Sequence, residues 1–263
     1  MGSSLTKEVD KLAESKEPTT ELNLHEKKIS SLPPNIGKLK SLTYVNLSSN
    51  LLRTLPAEIG DVRSLTTLKL FNNKLEEIPV EINNLGNLQE LNLAVNRLQK
   101  LPKGFGGFHN LTFLDLSYNE IEELPLQVGL MPALKEIFLS HNLLKKLPVE
   151  MAKLKSLRKL MLSNNLIETL PVELSALKEL KQIDLTTNKV RLIPPEVAKI
   201  ETLIRIDLSD NPNLHEKIKD HARQGQTVLL EYLRSPEYFD LYEVEKDKPV
   251  DIDVKEKKKK NKM

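Results

Sequence analysis

The chain has 263 residues, with 39 Lys or Arg against 37 Asp or Glu for a formal net charge of +2, 4% aromatic residues, and neither Cys nor Trp. So balanced a charge provides no broad field for nucleic acid or membrane, and no nucleic-acid partner is expected. The lack of cysteine excludes a disulfide scaffold, a thiolate zinc site and a cysteine nucleophile, and it fits a reducing compartment, so a cytoplasmic location is expected.

The opening MGSSLTKEVDKLAESKE carries two signals. Gly2 with Thr6 and Lys7 fits the N-myristoylation pattern, against the plainer reading of an ordinary polar start. Leu5, Val9 and Leu12 recur at helical spacing, which predicts a helix over residues 5–17. Residues 1–18 therefore read as an N-terminal lead and cap helix. The segment has no apolar h-region, and no stretch of the chain approaches the roughly 18 apolar residues of a membrane span.

Residues 19–211 are periodic. Leucine recurs at Leu42, Leu65, Leu88, Leu111, Leu134, Leu157, Leu180 and Leu203, in steps of 23 residues. Asparagine keeps the same beat from Asn50 through Asn119 to Asn211. The unit LxxLxLxxNxLxxLPxxIxxLxx is a leucine-rich repeat, present as nine copies with the first and last degenerate. The predicted fold is an α/β leucine-rich repeat solenoid, a curved horseshoe. A parallel β-sheet lines its concave face, short helical or irregular segments form its convex side, and helical caps close both ends.

Each position has a physical reading. The LxL triplet alternates inward and outward as a strand does. The recurrent Asn is expected to be buried at the turn leaving the strand, bonding backbone groups left without partners there. Proline at 33, 56, 79, 102, 125, 148, 171 and 194 needs no donor partner and opens a short convex helical turn. GFGGF at 104–108 replaces one convex segment and reads as a tighter turn; it lacks the Lys-Ser/Thr of a phosphate loop.

In a repeat such as LTFLDLSYN the third, fifth, seventh and eighth residues point out of the sheet. Most of these slots are polar, among them Ser48, Asp184 and Asp207. The middle repeats instead carry Phe71, Val95, Phe113, Tyr118, Phe138, His141 and Met161, bordered by Asn92 and Asp115 and by Lys69, Glu90, Arg97, Glu136 and Lys159. Neighbouring strands lie about 4.8 Å apart, so Phe113, Phe138 and Met161 should form one patch. An exposed apolar cluster with a charged rim is the composition of a protein-binding site.

Pro212 breaks the ninth repeat. Residues 212–245 then show helical periodicity, with Val228, Leu229, Tyr232 and Leu233 on one face, and read as a C-terminal helical cap. The Lys-rich residues 246–263 lack apolar period and are expected to be disordered. The five histidines are dispersed and no serine sits in a GxSxG elbow, so no enzyme, metal or cofactor is expected.

The LPxxI repeat, with FNNKLEEIPVEI, LNLAVNRLQKLPKGFGGF and the VLLEYLRSPEYFDLY segment, resembles the intracellular Ras-group leucine-rich repeat proteins, the Ras suppressor-like branch most closely. That resemblance implies a cytoplasmic scaffold at cell-adhesion or Ras-signalling complexes that holds a LIM-domain adaptor on its concave face. Asn92 and Asp115 match its polar contact positions and Phe71 and Tyr118 match its aromatics, whereas Phe138 stands where tyrosine, and Ser163 where arginine, is expected. Two functions follow. One is a non-enzymatic adaptor, monomeric, binding a folded protein. The other is a targeting subunit for a phosphatase or small GTPase. In either case Gly2 and the Lys-rich tail would supply contact with a membrane surface.

Overall fold

The computed structural model describes residues 2–248, with only the backbone of residues 2–4. The expected disordered tail falls mostly outside the described residues. Among those described, nine three-residue strands run from β1 (Glu21–Asn23) through β2 (Tyr44–Asn46), β3 (Thr67–Lys69), β4 (Glu90–Asn92), β5 (Phe113–Asp115), β6 (Glu136–Phe138), β7 (Lys159–Met161) and β8 (Gln182–Asp184) to β9 (Arg205–Asp207). Each pairs in parallel with the next in sequence, forming one sheet in chain order. The 23-residue beat becomes strand register: Phe113 pairs with Glu90 on one side and Glu136 on the other. Central residues such as Leu114 and Ile137 are fully buried, and their flanking neighbours face outward. The predicted leucine-rich repeat solenoid is the observed fold.

Five-residue 3-10 turns, such as Ala57–Asp61 and Leu126–Leu130, make most of the convex side. The last is a short helix, α2 (Pro195–Ala198). Each 3-10 turn is preceded by a proline in extended conformation, Pro125 having φ −66° and ψ 147°. At these turns the proline precedes the first helical residue, where no N–H is needed. Gly60 and Gly129 let adjacent convex turns approach: a Cβ on either would lie 2.2 Å from a carbonyl of the next repeat. GFGGF forms a turn, as expected. It also contributes to the core, because Phe105 and Phe108 are fully buried and pack edge to face at 5.1 Å.

The asparagine ladder ties the turns together. Asn119 Oδ1 accepts from Leu98 N at 3.0 Å, and its Nδ2 donates to Leu93 O and Leu116 O, both at 3.0 Å. Leu98 N depends on this side chain, whereas Leu93 O and Leu116 O each accept from a second asparagine as well, Asn96 and Asn142, so the ladder is continuous from repeat to repeat.

At the first end, helix α1 (Gly2–Ala13) starts and stops earlier than the 5–17 of the sequence reading. It buries Leu5 and Val9, and Lys38 pairs with its Asp10 at 2.9 Å. The salt bridge holds the Asp10 carboxyl below its usual range. At the other end the helical stretch divides into α3 (Glu216–Arg223), α4 (Gln226–Leu233) and α5 (Pro236–Glu245). Gly225, at φ 114°, makes the first break, and Ser235 before Pro236 makes the second, its hydroxyl accepting from Tyr238 N. The buried face of α4 is Leu229, Leu230, Tyr232 and Leu233; Val228, expected there, is only half-buried. Arg234 donates to the carbonyls of Ala198, Ile200 and Leu203, and the Tyr238 hydroxyl bonds both N and O of Ile193. Burial pushes the Tyr238 phenol well above its ordinary pKa.

Candidate functional site

The register of β4 to β7 decides which outward side chains meet. Phe113 occupies the first position of β5 and Phe138 the last of β6, so they are diagonal neighbours. Their rings lie 5.3 Å apart, tilted by 42°. Met161 pairs directly with Phe138 on β7, extending the apolar surface by one rung. All three are half-buried rather than fully exposed.

Two ion pairs rim this surface. Glu90 and Glu136 flank Phe113 in register; Lys69 reaches Glu90 at 3.3 Å and Lys159 reaches Glu136 at 3.0 Å. Both carboxylates are therefore neutralised locally, leaving the rings between balanced charges. Lys69 also lies 5.8 Å from the Tyr44 ring. Tyr44 holds the same slot as Phe113 three repeats earlier, an aromatic of this face that the sequence reading did not single out although its position marks it.

A second row follows the strands. Phe71 and Tyr118 are 40% and 53% exposed, and Tyr118 stacks on His141 at 3.9 Å with rings 12° from parallel. His141 Nε2 is 3.2 Å from Asn164 Nδ2. The eighth residue of every repeat adopts a left-handed backbone, Ser49, Asn72, Asn164 and Asp210 among them. Asn and Asp tolerate this conformation best. Val95, Tyr118 and His141 hold it in three successive repeats with φ near 55°. Val95 and Tyr118 are poorly suited to that backbone, whereas histidine tolerates it, and the β-branched Thr187 holds the same slot outside the patch.

Asn92 and Asp115, read as border contacts, have a local role. Each accepts from the backbone N–H two residues on, Asn92 from Ala94 at 3.0 Å and Asp115 from Ser117 at 2.9 Å. Phe138 and Met161 replace this lock in the two repeats that follow. Burial raises the Asp115 carboxyl above its usual pKa, against the pull of its Ser117 bonds. Two expectations for outward residues, the polar slot at Ser48 and the rim residue Arg97, differ from the structure. Ser48 is buried beneath the turn, not outward. Arg97 lies past Asn96 with Glu76, Gln99 and Glu120, away from the strand patch. Gly2 is the first residue of α1.

A single parallel sheet presenting an aromatic surface on a regular repeat defines a repeat-built interaction scaffold. The leucine-rich repeat family profile matches residues 18–75, 63–121 and 132–190, and the chain belongs to this family. A leucine-rich repeat protein of Leptospira interrogans has 34% identity to it and a TM-score of 0.65, with 74% of this chain and 58% of that one covered. A TDR receptor shows 28% identity and a TM-score of 0.71, over 80% of this chain and 37% of that one. The chain spans less than two thirds of either neighbour's length. No curated protein matches. In all, 472 solved chains match, so the fold by itself selects no partner and the site must.

Proposed function

We propose that this protein is a non-enzymatic adaptor that docks a folded protein domain on its concave face, through Phe71, Asn92, Val95, Phe113, Asp115, Tyr118, Phe138, His141 and Met161. The observation carrying this reading is the Phe113–Phe138 pair at 5.3 Å, continued by Met161 and framed by two neutralised ion pairs. Aromatic anchors on a rigid sheet lose little ordering entropy on docking, and such anchors carry most of an interface's energy. Family membership supports protein binding in general, and one structural neighbour is a receptor. The resemblance to Ras suppressor-like proteins supports a LIM domain as the partner and the cytoplasm as the setting.

The test compares capture from native lysate by the wild-type protein and by Phe113→Ala combined with Phe138→Ala. LIM-domain proteins held by the wild type and lost from the variant agree with this reading. Capture of phosphatase catalytic subunits or small GTPases in their place moves the function to a targeting subunit.

Acylation of Gly2 is a separate proposal, supported by the Gly2-Thr6-Lys7 pattern. Incubation with a myristoyl transferase should add one acyl chain by mass spectrometry; an unchanged mass removes it.

A further inference from the structure

The charge of the chain is balanced in sum but not in its distribution. On the side of the solenoid where the chain enters each strand, the backbone forms a continuous ladder. Arg158 N donates to Lys135 O at 2.7 Å, Lys181 N to Arg158 O at 2.9 Å and Ile204 N to Lys181 O at 3.0 Å. These four residues therefore stand on successive rungs, from β6 to β9. The same slot of the earlier repeats holds Thr20, Thr43, Thr66, Gln89 and Thr112. Lys155 and Lys178, three residues before Arg158 and Lys181, add a second row. Their ammonium groups reach only backbone carbonyls, Lys155 those of Ala152 and Ala176, and Lys178 that of Ser175. Arg158 is neutralised by Glu179 at 2.9 Å. Lys135, Lys155, Lys178 and Lys181 are exposed, and none has a carboxylate partner among the described residues. Glu201 is the one acid of these slots left without a cation. Ile204, last in the row, is 68% exposed, more than any other large hydrophobic side chain described.

We propose that this flank, from β6 to β9, rests on an anionic membrane surface, with Ile204 entering the headgroup boundary. Lysine is a hydrated point charge on a long stem. Four unpaired lysines on neighbouring rungs make a diffuse field, not a fork fixed on one carboxylate. Such a field suits a plane of acidic headgroups, which attracts each nearby cation separately and needs no shaped pocket. An aliphatic side chain beside the cations adds apolar burial at the boundary. A protein partner is served less well, because the flank lacks the aromatic anchors that the concave face presents. The row runs along the side of the sheet, so the concave face stays open to its own partner. The proposal involves neither Gly2 nor the Lys-rich tail, and it does not depend on the aromatic patch.

The test is sedimentation of the full, unacylated chain with vesicles of phosphatidylcholine alone or with about one third phosphatidylserine. The protein should bind the mixed vesicles and not the neutral ones, and about 0.5 M salt should release it. Lys135→Glu with Lys181→Glu should cut the partition coefficient roughly tenfold or more. Lys40→Glu with Arg63→Glu makes the same change of charge beside β2 and β3 and should cost less than about threefold. Both variants keep the Lys-rich tail, so attachment through the tail alone would leave the first variant bound as the wild type is. Lys135 and Lys181 are exposed and make no ion pair, so their replacement spares the core, and an unchanged melting temperature checks this. The proposal is overturned by no binding up to about 1 mM lipid, by equal binding to neutral vesicles, by equal loss in the two variants, or by no loss in the first. Tighter binding to an oligothymidylate than to the mixed vesicles would also overturn it, assigning the flank to nucleic acid.

Discussion

Val95 shows most clearly that single residues on this face answer to two demands. Its left-handed backbone costs a β-branched side chain about 1–2 kcal/mol, which an asparagine largely avoids. Val95→Asn should therefore raise unfolding free energy by about 1 kcal/mol in urea titration while weakening partner capture. A loss of stability would show that Val95 sits there for packing alone. Asp115 makes the converse case. Burial raises its folded-state pKa above the unfolded value, so the folded chain binds the extra proton and stability falls as pH rises through the carboxylate range. Asp115→Asn should keep the bond from Ser117, as Asn92 keeps its own from Ala94. The variant should be the more stable at pH 7, with the gap closing below about pH 4. Chemical denaturation at pH 3.5 and 7 reads the sign directly.

At the scale of the element, the turn after each strand is a unit built by one asparagine and the repeat that follows. Asn119→Ala would leave the buried Leu98 N without its acceptor, while Leu93 O and Leu116 O keep their bonds from Asn96 and Asn142, so a loss of about 2 kcal/mol is expected in urea denaturation. A loss under about 0.5 kcal/mol would mean that water replaces the amide. The strands, convex turns and asparagine roles were legible in the sequence because period 2 and a 23-residue beat leave each residue one environment. The seventh slot was less legible. Phe71 is exposed there and Ser48 buried, because a small side chain sinks into the turn where a ring cannot. The cap boundaries were also less legible, since Gly225 and Ser235 break what helical periodicity alone reads as continuous. The aromatic patch was half visible. Alternation placed Phe113 and Phe138 on one face, but their mutual packing, the two ion pairs and the left-handed row needed strand register.

Over the whole molecule, the solenoid separates stability from recognition. Stability comes from stacked inner leucines and two caps; recognition is assigned to outward side chains of the middle repeats, which the core does not require. Truncating Phe113 and Phe138 together removes one ring pair, a loss near 1 kcal/mol, so the melting temperature should fall by only about 2–4 °C. The measurement that bears most directly on the docking face is quantitative capture by this double variant beside a convex control, Leu126→Ala with Val149→Ala, whose side chains are exposed on the other side. Partner yield should collapse for the Phe113 and Phe138 variant and hold at the wild-type level for the control. Retained binding in the former, or equal loss in both, would contradict a concave docking site.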